Sequence, residues 1–260
     1  MRIVVEDLNV AYGRHRVLAG LDFHAEPGSV TALVGPNGCG KTTLLKAIAG
    51  TIAHGGSIRF GDRSDRPREA IGFMPQDSGV RAALTVFEVV LLGRLSRLGM
   101  TVGEADLAAA DRALRDVGMI DHAERWISEL SGGQRQLVHF AQVLARDPRV
   151  LLLDEPTSAL DLRNQLLLLS TIAAQSRARG ITTIVTLHDL NAAARFADTI
   201  AVLYEGRVHR HGSPVDTIDA DVLCEVWRVE AAITALADGF PSIVPVRVAP
   251  AARVETGPAA

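Results

Sequence analysis

Residues 35–43 read GPNGCGKTT, directly after the apolar run Val30–Val34 and directly before the helix-compatible residues 44–49. A buried strand that must turn through glycines into a helix fixes the local topology within a few residues. Gly35, Gly38 and Gly40 let backbone N–H groups turn inward with no Cβ in the way, forming an anion-binding nest. The helix behind them points the positive end of its dipole at the same place. That combination suits the phosphates of a nucleotide. Lys41 is placed to reach the β- and γ-phosphates and Thr42 to offer its hydroxyl to Mg²⁺, with Pro36, Asn37, Cys39 and Thr43 completing the loop. A glycine-rich turn that binds nothing is the plain alternative, and the flanking strand and helix argue against it.

The 260 residues are 48% hydrophobic but only 4% aromatic, an Ala/Leu/Val-rich composition that suits an α/β protein of one domain or two lobes. A formal net charge of −3 argues against a nucleic-acid binder that works by neutralising phosphates. Charges or helix breakers interrupt every apolar run before it reaches membrane-spanning length. The start, MRIVVEDLNV, has acidic residues where a signal peptide needs an apolar core. Cys39 and Cys224 are too far apart to suggest a disulfide framework, so a reducing cytoplasm fits best. The Cys39 thiol is expected to be open to alkylation but to take no part in chemistry.

Apolar alternation in residues 3–12 and 17–25 around Gly13-Arg14-His15 predicts an antiparallel hairpin. Short strands are expected at 57–60 and 70–74, a buried one at 150–153, and further strands at 181–187, 200–204 and 207–211. Helices are expected at 86–92, 104–117, 134–145, 165–179 and 190–197. Strands alternating with helices imply a mainly parallel sheet covered on both faces. Residues 84–147 interrupt that alternation and predict a separate helical lobe. After Pro214 come a short amphipathic helix near 222–227 and two weak strands, then an Ala/Pro-rich end after Pro250 expected to be disordered.

Two further strings carry chemistry. Asp154 and Glu155 follow the apolar run 150–153, at the strand edge where open α/β sheets bind ligands. Asp154 suits Mg²⁺, and Glu155 suits polarising an attacking water. Leu130-Ser131-Gly132-Gly133-Gln134 reads locally as a helix start, with Ser131 and Gln134 as a capping box. A plain cap needs no paired glycines, which cost helix stability. Glycines at a helix N-terminus do admit a second anion.

In this order, the glycine loop, LSGGQ and LLLDEP resemble the nucleotide-binding subunit of ABC transporters, over about residues 1–212. The resemblance implies an α/β P-loop NTPase (RecA-like) core with an antiparallel β subdomain at 1–83 and 148–212. It also implies an inserted helical signature subdomain at 84–147 and a C-terminal extension at 213–260. ATP and Mg²⁺ are the implied cofactors. Two copies would form a homodimer sandwiching two ATPs, each between one copy's glycine loop and the other's LSGGQ. Ser131 and Gly133 would then serve the partner's γ-phosphate, with Gly132 and Gln134 as further residues of that nucleotide site. Tyr12 matches the aromatic that stacks on adenine, a core aromatic being the alternative. Gln76, in FMPQD, matches the glutamine that contacts Mg²⁺ and the attacking water. Asp161 matches the acidic residue of the loop crossing the dimer interface. His188 matches the histidine that bonds the γ-phosphate and aligns the water. Leu137 departs from the basic residue often found there.

Finer features resemble importers of iron chelates, haem and cobalamin: TVFEVVLLGR at 85–94, ALDLRNQ at 159–165, HDLN at 188–191 and the tail from 223 to 248. Leu95-Ser96-Arg97 departs from the aromatic-Pro-His often seen there. These features imply an ATPase subunit on the cytoplasmic face of the membrane, working with integral membrane permease subunits and, indirectly, a periplasmic or surface substrate-binding protein. A soluble ATPase of iron–sulfur assembly and an exporter ATPase subunit remain alternatives.

Overall fold

The computed structural model describes residues 1–62, 67–76, 83–94, 102–158, 160–237 and 239–249. The departure at 95–97, Asp77, Ala159 and the Ala/Pro-rich end from 250 onward lie outside the described residues.

Alternating buried and exposed side chains in Ile3–Tyr12 (β1) and His15–Ala25 (β2) make an antiparallel hairpin. Its second strand begins two residues earlier than the apolar pattern suggests. Pairing of Tyr12 with His15 leaves only Gly13-Arg14 to turn, and Gly13 takes φ +61° there. Val30–Val34 (β3) follows, then Lys41–Ala49 (α1), and Gly55–Phe60 (β4) adds to the other edge of β1. Ile71–Met74 (β5), Val150–Leu153 (β6), Thr182–Thr186 (β7), Thr199–Tyr204 (β8) and Arg207–Gly212 (β9) complete a second sheet with β3. Its order is β5-β6-β7-β3-β8-β9, parallel except for the antiparallel edge strand β9.

Every residue of β3, β6 and β7 is buried, the signature of a sheet covered on both faces. One face, with Ala32, Val34, Leu151 and Val185, packs against the helices; the other, with Leu33, Leu152 and Ile184, packs against α1 and the β1–β2–β4 sheet. Successive residues of each strand thus join different cores, which is why these runs read as continuously apolar.

Val86–Leu92 (α2), Glu104–Asp116 (α3) and Gly132–Ala145 (α4) follow β5. Among the described residues of 84–147, none joins the six-stranded sheet. The TVFEVVLLGR string has a structural account here. Thr85 and Glu88 form a reciprocal capping box, and Val86, Val89 and Val90 are buried. A Cβ on Gly93 would lie 2.1 Å from the Gln142 carbonyl oxygen, so α2 ends pressed against the backbone of α4. Arg94 donates to Asp106 at 2.8 Å and to the Ala145 carbonyl at 3.1 Å, tying three helices together. Leu137 is buried in α4, which accounts for an apolar residue at that position.

Leu162–Arg179 (α5) starts three residues before the expected helix because Asp161 caps it, accepting from the Asn164 N–H at 2.8 Å. Leu190–Phe196 (α6) is capped by Asp189. Pro214–Thr217 (α7), a single turn that the sequence pattern does not announce, starts with proline at its first position. Ala220–Trp227 (α8) leads into an antiparallel hairpin of Val229–Ala235 (β10) and Pro241–Val248 (β11). Among the described residues, no helix is long and apolar enough to cross a membrane.

Candidate active site

The glycine loop joins the C-terminal end of β3 to α1, and its glycines have separate jobs. A Cβ on Gly35 (φ +149°) would sit 2.2 Å from the Leu203 carbonyl oxygen, and one on Gly40 (φ +110°) 2.6 Å from Leu18 Cδ2. Gly38 (φ +79°) has open space around it and is needed for its backbone twist alone. The helix α1 starts at Lys41, three residues before the apolar pattern begins, because Gly40 supplies the left-handed entry.

Lys41 is 6% exposed, and its Nζ donates to the carbonyls of Gly35 (2.8 Å) and Pro36 (3.0 Å). Among the described residues no carboxylate forms an ion pair with this buried ammonium, which is held by neutral carbonyls and so suits a site for an anion. Cys39 is buried beside it. Burial pushes its thiol above the ordinary range, against the opposing pull of the Lys41 charge. A buried thiol held protonated reacts poorly, contrary to the expected sensitivity to alkylation. An open cavity of about 250 Å³ lies over the loop, lined by Val17, Asn37, Gly38, Gly40, Lys41, Thr42, Thr43 and Glu155.

Asp154 and Glu155 leave the end of β6 toward this cavity. Asp154 is 2% exposed, and its Oδ1 accepts from the hydroxyls of Thr42 (3.1 Å) and Thr186 (2.9 Å). Thr186 also accepts the Glu155 N–H at 2.6 Å, so one hydroxyl ties both acidic residues to β7. Glu155 stands at φ +48°, a left-handed conformation that costs a non-glycine residue about 1–2 kcal/mol. Both of its carboxylate oxygens are in contact: His188 Nε2 lies 2.5 Å from Oε1, and Gln76 Nε2 donates to Oε2 at 2.7 Å. The histidine follows β7 and the glutamine follows β5, the two strands that flank β6 in the sheet. Parallel order therefore brings Gln76, Asp154, Glu155, Thr186 and His188 to one edge, beside the loop after β3. Thr186 is the member that motif reasoning missed. Its only signal was a hydroxyl in the buried run TTIVT, two residues before His188.

These residues fit a nucleotide with Mg²⁺. The loop is so close-packed at Gly35 and Gly40 that side chains are excluded. The Thr42 proton points to Asp154, leaving the hydroxyl's lone pairs free for a cation.

The LSGGQ residues form a different place. Ser131 Oγ accepts the Gln134 N–H at 3.2 Å, and Gln134 Oε1 accepts the Ser131 N–H at 3.1 Å, a complete capping box on α4. Both glycines lie inside the helix, but they differ. A Cβ on Gly132 would meet nothing within 4 Å, whereas one on Gly133 would sit 2.9 Å from Asn164 Nδ2. Gly133 is thus packed beneath α5 of the same chain, and Gly132 is the one facing open space. No LSGGQ residue lines the cavity over the glycine loop. Tyr12, at the end of β1, is 51% exposed and so is not a core aromatic. Asp161 caps α5, followed by the exposed Leu162 and Leu166.

The sequence model of the ABC transporter family matches residues 18–158. The hemin import ATP-binding protein HmuV of Chelativorans sp. (strain BNC1) is 39% identical over 250 residues, covering 91% of this chain and 95% of that protein. The iron(3+)-hydroxamate import ATP-binding protein FhuC of Bacillus subtilis (strain 168) is 35% identical over 238 residues, covering 88% of each. A solved structure described as an inward-facing metal-chelate type ABC transporter superposes with a TM-score of 0.83 at 29% identity, covering 94% of this chain and 97% of that one.

Proposed function

Because the chain belongs to the ABC transporter family, as an ATP-binding and ATP-hydrolysing subunit, we propose that it powers uptake of haem or an iron chelate through a separate membrane permease. The relatives whose names specify import favour this over the exporter and iron–sulfur readings. In this reading residues 1–83 and 148–212 form the nucleotide-binding core, 84–147 the helical signature part, and 213–260 an extension. The subunit works as a homodimer, bound peripherally at the cytoplasmic face, with a substrate-binding protein feeding the permease from the other side. A signature segment that is capped, exposed at Ser131 and Gly132 and outside its own chain's cavity supports the dimer, as do exposed Leu162 (72%) and Leu166 beside Asp161.

The geometry supports the following roles in this reading. Lys41 and the loop N–H groups hold the β- and γ-phosphates, and Tyr12 offers a face for adenine. Thr42, Asp154 and Gln76 would hold Mg²⁺, which when bound neutralises phosphate charge. Glu155 accepts a proton from the attacking water; His188 and Gln76 orient its two oxygens. Ser131 and Gly132 of the partner subunit close over the nucleotide, and the closure moves α2–α4, whose ends are locked together at Gly93 and Arg94, against the permease.

The observation that carries this reading is Glu155, held by both oxygens at the mouth of the glycine loop. Glu155→Gln is expected to keep ATP binding while steady-state hydrolysis falls about a hundredfold or more, as for loss of a general base. Unchanged hydrolysis in that variant would remove Glu155 from its role.

A further inference from the structure

The C-terminal hairpin touches the catalytic machinery through one side chain. The Ile243 N–H in β11 donates to Asn191 Oδ1 at 2.7 Å, and Asn191 Nδ2 donates back to the Ile243 carbonyl at 3.1 Å. The amide thereby pairs with both main-chain groups of Ile243, as a neighbouring strand would. Asn191 lies in the first turn of α6, three residues after His188. Its own N–H, with that of Ala192, is accepted by Asp189 Oδ1 at 2.8 and 3.2 Å. One run of contacts therefore leads from the hairpin, through Asn191 and Asp189, to the residue adjoining His188.

His188 has particular need of such an anchor. Its side chain is 47% exposed, against 15% for Glu155. Its ring Nε2 lies 2.5 Å from Glu155 Oε1. Surrounding packing does little to hold the ring, so its position follows that of its backbone. The far side of α6 is fixed by fully buried Ala193 and Ala194, and Ile243 is 5% exposed in the same core. The first turn is where the hairpin grips.

We propose that Asn191 is a positioning residue for His188, through which the C-terminal hairpin sets the alignment of the Glu155 carboxylate. The competing account is that Asn191 only covers the free edge of β11. Edge covering would matter to stability and leave the chemistry alone; positioning acts on turnover and requires His188 to be present.

This rests on the ATPase reading above, and the experiment separates the two. Steady-state ATP hydrolysis is measured on the full chain as wild type, Asn191→Ala, Asn191→Asp, His188→Ala and the His188→Ala/Asn191→Ala double variant, with melting temperatures alongside. Asn191→Asp keeps an acceptor and suits a helix N-terminus, but cannot donate to the Ile243 carbonyl. Both single Asn191 variants are expected to lower kcat about three- to tenfold, a range common for residues coupled through one network. KM for ATP should stay within about twofold, since no binding contact is lost. In the His188→Ala background, Asn191→Ala should change kcat by less than about 1.5-fold. Wild-type kcat in either single variant, or the same proportional loss with His188 absent, overturns the proposal. Absence of hydrolysis by the wild-type chain would instead sink the ATPase reading itself.

Discussion

The glycine loop and the LSGGQ helix start are both N-terminal helix ends rich in glycine, yet they are built on opposite plans. The loop is enclosed: Lys41 is buried, Gly35 and Gly40 are in close contact with other strands of the same chain, and a cavity stands over it. The LSGGQ start is finished as local structure, every cap bond made between Ser131 and Gln134, and it turns Gly132 outward with nothing in front. The first contains a charge that no described carboxylate pairs with; the second leaves an open approach at Gly132. A residue can therefore be essential in one region for what it binds within its chain, and in the other for what it allows to come near.

The contrast breaks most readily at Lys41. Lys41→Ala should weaken ATP binding to the isolated subunit by about ten- to hundredfold, the range for losing a charge-assisted contact. Isothermal titration reads this directly, and wild-type affinity would place the phosphates elsewhere. Ser131→Asn, which can still cap α4, should leave single-subunit ATP affinity within about twofold and yet reduce hydrolysis about tenfold, for loss of one transition-state hydrogen bond. Hydrolysis at the wild-type rate would take the serine out of the partner's site. Gly132→Ala sharpens the comparison further. With open space for its Cβ, alanine should raise stability by up to about 1 kcal/mol while slowing hydrolysis, and thermal melts beside ATPase rates would show both. A variant stabilised and fully active would mean that nothing approaches Gly132.

The smallest effect lies away from both regions. Burial holds the His211 imidazole below its usual value, and neighbouring His24, 4.5 Å away ring to ring, pushes the same way. A folded-state value below the unfolded one means that the unfolded chain binds more protons between the two. That contribution to stability is present above pH 6.5 and is lost as pH falls through the folded value. His211→Phe, which preserves stacking on Phe23, should flatten the acid side of a melting-temperature profile slightly. The buried His139, shifted in the same direction by desolvation, would keep some of the slope.

Strong local signals were legible in the sequence where one segment carried its own explanation. Val86–Leu92 has its predicted bounds because Thr85 and Glu88 cap it and Gly93 ends it. Val30–Val34 has them because two covered faces demand five apolar or small residues in a row. Local caps and turns cost only a few residues at element ends; the losses that bear on the site are long-range. Nothing near Gly133 in the chain shows that Asn164 will lie over it. Nothing in TTIVT shows that Thr186 will bond both acidic residues of a different strand. The Asn191 amide looks like one more polar helix residue until β11 comes back to it from fifty positions downstream. Spacing within a segment reveals a motif; what supports the motif arrives from elsewhere in the fold.

The left-handed backbone at Glu155 has a consequence for the cycle as a whole. The left-handed φ restricts the main chain from which the side chain springs and leaves the direction of the carboxylate to His188 and Gln76. Thr186 latches the same peptide from behind. With that main chain fixed, alignment of the carboxylate falls to its contacts with the half-exposed imidazole and the glutamine.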